Sequence, residues 1–361
     1  MVGSRCIDFE DLTRKEVLGD RKGNRRIAVR FYYPGKEGSQ KEVCRLLNDS
    51  KLKIFIKKPD FSNYDKNIRV YETPEMRNGT FPLILFSHGY SGFAEQNSYL
   101  CQYLADHGYI VASISHNFEA SETDFNDGTV TKLDRSLIRK MYRNIFIGLI
   151  EETILTKKKL SDKEALKQFD IQQKKQNAFL IDRLYEWEKD DLAAISHIHE
   201  LAEDENSFLY HRIDFSNGIG ATGHSFGGAT AYCHCLYDDE VSCGINIDGG
   251  LFGDFKEEVN HKPFMQIINK SNYNVVTRCR LYHDGPLHFI IFRNMKHIGF
   301  TDIKLLGGKP SIVGTADPET AMNALNEANL AFFDRYLKEG KKEDRTKLSI
   351  DEKAFESYEA L

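Results

Sequence analysis

The fold is decided by the stretch IGATGHSFGGAT, residues 219–230. It contains the pattern G-x-S-x-G, with Gly223, Ser225 and Gly227 at the fixed positions. Small and apolar residues precede the pattern, as at the end of a buried strand, and an apolar run follows it, as at the start of a packed helix. A sharp turn between strand and helix lifts a serine hydroxyl above the edge of a sheet, and glycines on either side remove Cβ clashes there. This context predicts that Ser225 is a nucleophile.

Apolar runs on either side of this stretch predict the other strands of a buried sheet. They are residues 26–33, 81–87, 109–115, 243–247, 262–268 and 288–293. Amphipathic patterns between and after them predict helices at residues 97–107, 178–201 and 320–337. Strands that alternate with helices indicate an α/β protein with a mostly parallel central sheet flanked by helices. We predict one domain over residues 1–361.

A helical insertion is predicted between the strand that ends near Ser115 and the nucleophile strand. Residues 119–205 are charged and mostly helical in composition, and residues 137–154 within them carry a dense apolar series. The helix at 178–201, which holds Trp187, is expected to pack on the sheet. Three interpretations stay open for residues 137–154: a cap over the active site, an oligomer interface, or a helix packed in the core.

Composition restricts the class of protein. The chain has 361 residues, of which 41% are hydrophobic and 29% charged, as in ordinary globular proteins. A formal net charge of −5 gives no support to nucleic-acid binding. No secretory signal and no run of about 18 apolar residues is apparent, so we expect a cytoplasmic protein without a transmembrane segment. The seven cysteines are scattered and lack metal-ligand spacing, so neither a metal nor another cofactor is expected.

Three residues at predicted strand ends form a candidate catalytic set, in the chain order Ser225, Asp248, His297. A serine hydroxyl needs a neutral imidazole to take its proton, and His297 follows the last core strand. Asp248 directly ends an apolar strand, and it would orient the imidazole and stabilise its charged form. Asp284, between the last two core strands, is the alternative acid. The order Ser, Asp, His is the one expected of an α/β-hydrolase fold.

An oxyanion hole needs two backbone N–H groups that point at one position. The first is expected from Phe226, directly after the nucleophile, and the second from Tyr90, in the turn after the strand at residues 81–87. Gly89 would let the backbone approach closely. The Tyr90 and Phe226 side chains are predicted walls of an acyl pocket, so these three residues are the predicted substrate-binding set.

Several longer segments resemble one family of enzymes. They are GHSFGGAT from residue 223, FPLILFSHGYSGF from 81, HGYIVASISHN from 107 and CGINIDGGLF from 243. These segments resemble the plasma and intracellular type II platelet-activating factor acetylhydrolases, which are α/β-hydrolase serine lipases. The resemblance implies a triad of Ser225, Asp248 and His297, and so supports Asp248 over the alternative acid. It also implies oxyanion donors at Tyr90 and Phe226, no metal, and calcium-independent cleavage of short or oxidised acyl esters, including those of phospholipids.

The expected activity is therefore hydrolysis of short-chain carboxylic esters, some of them of lipid origin, through an acyl-enzyme. An amidase or peptidase with the same triad is one alternative, since fold and triad do not separate esters from amides. A binding protein that kept the fold without catalysis is the other. The sequence departs from the family at residues 137–154, which have no counterpart, and at Tyr90, where relatives often have leucine. Transient contact with a lipid surface and a homo-oligomer both stay open.

Overall fold

The computed structural model describes residues 1–19, 22–39, 42–147, 149–157, 160–176 and 178–361. The strands in these ranges are β1 (Val2–Lys15), β2 (Asn24–Pro34), β3 (Val70–Glu72), β4 (Phe81–Ser87), β5 (Ile110–Ser115), β6 (Glu122–Asp124), β7 (Val130–Lys132), β8 (Ile213–Asp214), β9 (Ile219–His224), β10 (Val241–Ile247), β11 (Phe264–Asn269), β12 (Leu287–Phe292) and β13 (Phe355–Ala360). The helices are α1 (Asp49–Leu52), α2 (Ser62–Asn67), α3 (Ser98–Asp106), α4 (Arg135–Ile147), α5 (Leu149–Lys157), α6 (Asp162–Gln176), α7 (Ala178–Glu203), α8 (Phe226–Tyr237), α9 (Thr277–Leu281), α10 (Pro310–Val313) and α11 (Pro318–Phe333).

One large sheet dominates the described residues. Its order is β13-β12-β11-β10-β9-β4-β5-β2-β1-β3, and β8 pairs with the start of β4. The strands from β12 to β5 run parallel to one another, whereas β13 and β2 flank them in the antiparallel direction. The mostly parallel, helix-flanked sheet predicted from the sequence is confirmed.

The central strands are continuous apolar runs because helices cover both faces of the sheet. Side chains of β4 alternate between the two layers: Ile84 and Phe86 pack with α3 and α11, and Leu83 and Leu85 pack with α7 and α8. Each such side chain, when fully buried, contributes about 1.5–3 kcal/mol. The two packed layers hold the carboxyl ends of β4, β9, β10 and β12 in fixed positions, and the candidate site lies at that edge.

Helices α4 to α7 occupy the segment where an insertion was predicted. The expected packing of α7 on the sheet is confirmed, since Trp187, Ile195 and Ile198 lie in the core beside β4 and β5. Most side chains of the apolar series at 137–154 lie outside the described residues, so their packing stays a prediction. Helix α5, which contains the end of this series, and helix α6, which follows it, contact two loops at the carboxyl edge of the sheet. Asn274, after β11, donates to the Leu155 carbonyl at 2.6 Å, and Gln173 accepts from the amide of Gly253, after β10, at 2.8 Å.

Candidate active site

Ser225 lies in a sharp turn between β9 and α8, as the sequence predicts. Its backbone has φ 57° and ψ −114°, in the left-handed half of conformational space that non-glycine residues rarely occupy. A Cβ at Gly227 would overlap the backbone of Ser87, and one at Gly223 would overlap Gly227 itself. The Gly227 amide also donates to the His88 carbonyl at 3.1 Å. The glycines therefore let three segments meet at the serine.

The structure brings the three predicted triad residues into direct contact. His297 follows β12 and begins a short 3₁₀ helix, His297–Phe300. Its Nε2 lies 2.9 Å from Ser225 Oγ, and its Nδ1 lies 2.8 Å from Asp248 Oδ2. The His297 side chain is 42% exposed, whereas that of Asp248 is fully buried. One imidazole thus joins a buried carboxylate to a hydroxyl at the protein surface.

Asp248 follows β10 and also has a left-handed backbone, with φ 59°. Its Oδ1 accepts hydrogen bonds from the Asn269 backbone amide at 2.7 Å and from Asn269 Nδ2 at 3.0 Å. These donors satisfy a carboxylate that water does not reach. Asn269 escaped the sequence reasoning, although its place at the end of β11 was a usable signal. The alternative acid, Asp284, is 61% exposed and contacts His261 at 2.5 Å.

The predicted oxyanion donors lie at two adjacent chain turns. Phe226 is the first residue of α8, so the helix offers its amide no intrahelical acceptor. Tyr90 follows β4 in the turn that contains Gly89. Gly89 and Tyr90 line a small cavity of about 30 Å³ together with Ser225 and His297. The cavity therefore lies directly beside the proposed nucleophile and base.

The Phe226 side chain lies elsewhere than predicted. Its ring is 1% exposed and packs against Trp187, Tyr90 and Phe252 at centroid distances of 4.7, 5.5 and 6.3 Å. It does not belong to the set of described residues that line the cavity. The reason is that α8 packs on α7, so the first side chain of α8 enters the aromatic core. Only the backbone of Phe226 stays a candidate for contact with substrate.

His88 supports the turn that carries Tyr90. The ring is fully buried, and its Nδ1 lies 2.7 Å from the Gly89 carbonyl. Burial and the neighbouring His116 lower the pKa of His88 to about 3, so the ring is neutral. A neutral ring has one N–H and one lone pair. Here Nδ1 donates to Gly89, while Nε2 accepts from the His116 amide at 3.2 Å. His88 is thus a structural support of the turn that carries Tyr90.

A buried polar cluster beneath the site was not predicted. Ser87, His116 and Asp190 form a second serine–histidine–aspartate array, with His116 at 3.3 Å from Ser87 Oγ and 3.0 Å from Asp190. All three are buried, and Asp190 also accepts a bidentate pair of hydrogen bonds from Arg25 at 2.6 and 3.0 Å. Since substrate cannot reach Ser87, this array belongs to the packing of the sheet.

Within the described ranges, no group of three or more His, Cys, Asp or Glu side chains is arranged to hold a metal ion. None of the helices in those ranges has the length and apolar character needed to cross a membrane.

The mostly parallel sheet, the serine turn between β9 and α8 and the histidine loop after β12 together define an α/β-hydrolase. The structure superposes on a ferulic acid esterase from Streptomyces cinnamoneus with a TM-score of 0.69, over 96% of this chain and 93% of that one, at 21% identity. The family model "Platelet-activating factor acetylhydrolase, isoform II" matches residues 15–354. The chain belongs to that family, and its class is that of the carboxylic ester hydrolases.

Named relatives agree with this assignment. The chain is 25% identical to a platelet-activating factor acetylhydrolase of Cavia porcellus, over 87% of this chain and 73% of that protein. It is 26% identical to the Gallus gallus protein of the same name, over 71% of this chain and 62% of that protein. The chain therefore spans between three-fifths and three-quarters of these relatives' length.

Proposed function

We propose that this protein hydrolyses carboxylic esters with short acyl groups through a covalent acyl-enzyme on Ser225. The observation that carries the proposal is the continuous set of contacts from Ser225 Oγ through the His297 ring to Asp248, at 2.9 and 2.8 Å. Those distances are within the range at which a base can take a proton from a hydroxyl. The family and the fold point to the same class of reaction.

Each residue has a stated part in the proposed reaction. Ser225 Oγ attacks the ester carbonyl while His297 Nε2 takes its proton. His297 then gives that proton to the departing alkoxide, which leaves as an alcohol and the acyl group stays on Ser225. Water, deprotonated by His297, attacks the acyl-enzyme, and His297 then returns that proton to Ser225 Oγ as the carboxylic acid leaves. Asp248 keeps the Nδ1 proton in place and stabilises the imidazolium.

The negative charge of each tetrahedral intermediate forms on the former carbonyl oxygen. The amides of Phe226 and Tyr90 are the proposed donors to that oxygen. Phe226 is at the N-terminus of α8, where the helix dipole also favours negative charge. Loss of one such donor typically costs about 10²–10³ in kcat.

The cavity supports a short acyl group. It is about 30 Å³ and lies beside Ser225, with Phe55, Phe93 and Ile303 among the apolar residues around it. A small space beside the nucleophile favours a short acyl group such as acetyl over a long one. Both relatives named above are, by name, acetylhydrolases of platelet-activating factor. We therefore propose acetyl and similarly short esters as substrates, phospholipid-derived esters included.

The test is hydrolysis of p-nitrophenyl esters from acetate to octanoate by the wild type and by Ser225→Ala. We expect highest kcat/KM on the shortest esters and a loss of several orders of magnitude in the variant, as for removal of other triad nucleophiles. Hydrolysis that survives Ser225→Ala would refute the proposed nucleophile. A wild type that hydrolyses no ester but cleaves amides would point to the amidase alternative.

A further inference from the structure

His224 lies directly before the nucleophile in the chain, and its side chain contacts the backbone of His297. Its ring is buried at the end of β9, and its Nε2 lies 2.9 Å from the backbone carbonyl of His297. The two rings have centroids 4.7 Å apart. His224 is therefore in direct contact with the backbone of the proposed base, whereas the base's own ring points to Ser225.

The hydrogen bonds of His224 define its form. Burial and the neighbouring His297 lower the pKa of His224 well below its ordinary value, so the ring is neutral. Gln96 Nε2 donates to its Nδ1 at 3.1 Å, which leaves the proton on Nε2 to be donated to the His297 carbonyl. A neutral ring also adds no like charge next to His297 when that residue becomes an imidazolium.

The short 3₁₀ helix that begins at His297 is also held at its other end, Phe300. Asn97 Nδ2 donates to the Phe300 carbonyl at 2.7 Å, and Gln96 Nε2 contacts Asn97 Oδ1 at 3.1 Å. Gln96 and Asn97 are buried residues at the end of the 3₁₀ helix before α3. The helix His297–Phe300, which we call the base turn, is thus bonded at both ends to buried amide and imidazole groups.

The ring of His224 also contacts the oxyanion turn. A Cβ at Gly89 would lie 2.9 Å from His224 Nδ1 and 3.2 Å from Ser225 Cβ, closer than side chains normally approach. The ring consequently lies against Gly89, next to Ser225 and beneath the base turn. A displacement of the His224 ring would move the base turn and the turn that carries Tyr90 relative to Ser225.

We propose that His224, held by Gln96, is a positioning residue that fixes the base turn through its hydrogen bond to the His297 carbonyl. This inference rests on the proposed function, in which His297 must stay at 2.9 Å from Ser225 Oγ. Misplacement of a reacting group by about 1 Å can cost about 10²-fold in rate, so a single buried hydrogen bond can control kcat.

The experiment compares His224→Leu with His224→Gln on p-nitrophenyl acetate. Leucine removes the donor, and we expect kcat to fall by about tenfold to hundredfold with KM changed by less than about threefold. Glutamine places an amide N–H near the position of Nε2, so we expect it to recover most of the lost kcat. A double variant with Gln96→Leu should lose less than the product of the two single losses, because both residues contribute to the hydrogen bond at the His297 carbonyl.

His288→Leu is the matched control. His288 is also a buried histidine with two hydrogen bonds, to the hydroxyls of Tyr336 and Tyr358, but it does not contact the base turn. We expect it to lower the urea midpoint of unfolding while the kcat per folded molecule stays that of the wild type. If His224→Leu retains wild-type kcat, or if His224→Gln loses as much kcat as His224→Leu, the positioning role is wrong. Activity that persists in Ser225→Ala would instead refute the proposed function itself.

Discussion

At the scale of single residues, backbone strain is concentrated where chemistry is proposed. Ser225 and Asp248 both have left-handed backbones, which cost on the order of 1–3 kcal/mol each. Neighbouring contacts hold both conformations. The Ser225 amide donates to the Ile247 carbonyl at 2.8 Å, and Asn246 bonds both the amide and the carbonyl of Gly249 at 2.9 Å. The surrounding structure therefore stabilises two unfavourable backbones so that their side chains meet at His297.

Replacement of each candidate acid tests the assignment of Asp248. Asp248→Asn keeps the size of the side chain but favours the wrong tautomer of His297, so we expect kcat to fall by about 10⁴-fold. Asp284→Asn, at an exposed residue bonded to His261, should leave kcat unchanged. Both are measured on p-nitrophenyl acetate. The reverse pattern, with Asp284 essential and Asp248 dispensable, would contradict the geometry of the site.

The sequence allowed the three triad residues to be predicted, but not the side chains that hold them in position. Ser225, Asp248 and His297 could be predicted because Ser225 and Asp248 directly follow predicted strands, His297 lies a few residues after another, and parallel strands end at one edge. Asn269 and Gln96 could not be assigned their contacts. An amide side chain carries no local pattern for its partner, and these two find theirs only when distant segments pack together.

At the scale of elements, buried strands were predictable and edge strands were not. The run at residues 81–87 is β4 itself, and β9 to β12 lie within about two residues of their predicted positions. β1 and β13 were missed because they carry mixed polar sequences near the outside of the sheet: β13 is its last strand, and β1 is covered on its outer side by β3 only at Val2–Ser4. An edge strand needs no continuous apolar run, so its signal resembles that of a loop.

Replacement of residues 137–154 by a short Gly/Ser linker tests the cap interpretation. Helix α5, which overlaps this segment, and helix α6, which follows it, bond to the loops after β11 and β10, next to Asp248. We therefore expect the ratio of kcat/KM between acetate and octanoate to change by about tenfold. Far-UV circular dichroism and the melting temperature should show an intact sheet. Unchanged kinetics together with loss of an oligomer would identify an interface instead.

At the scale of the whole molecule, buried charge joins distant parts of the chain. Asp190 on α7 bonds Arg25 on β2 and Arg14 on β1 as well as His116 after β5. Burial alone would raise the pKa of Asp190, but the Arg25 guanidinium and the His116 ring hold it well below its usual range. The cluster thus links α7 to one half of the sheet beneath the turn that carries Tyr90.

Removal of one partner should be costly because it leaves an unpaired buried charge. We expect Arg25→Met to lower the free energy of unfolding by about 3–5 kcal/mol. Lys66→Met is the control, since Lys66 and its partner Glu319 are both exposed, and exposed pairs contribute about 0–1 kcal/mol. Urea unfolding measures both variants. Equal losses would mean that the buried cluster does not stabilise the fold more than a surface pair does.

The aromatic packing beneath the site makes it accessible to optical measurement. Trp187 is the single tryptophan of the chain, and it stacks on the His116 ring at 3.6 Å and contacts both Tyr90 and Phe226, the two proposed oxyanion residues. Excitation at a wavelength that only indole absorbs therefore gives emission from Trp187 alone. Its ring contacts one residue in each of the two proposed oxyanion turns. Formation and decay of an adduct on Ser225 can be followed by stopped-flow emission in the unlabelled protein, with the natural ester and without a chromogenic leaving group.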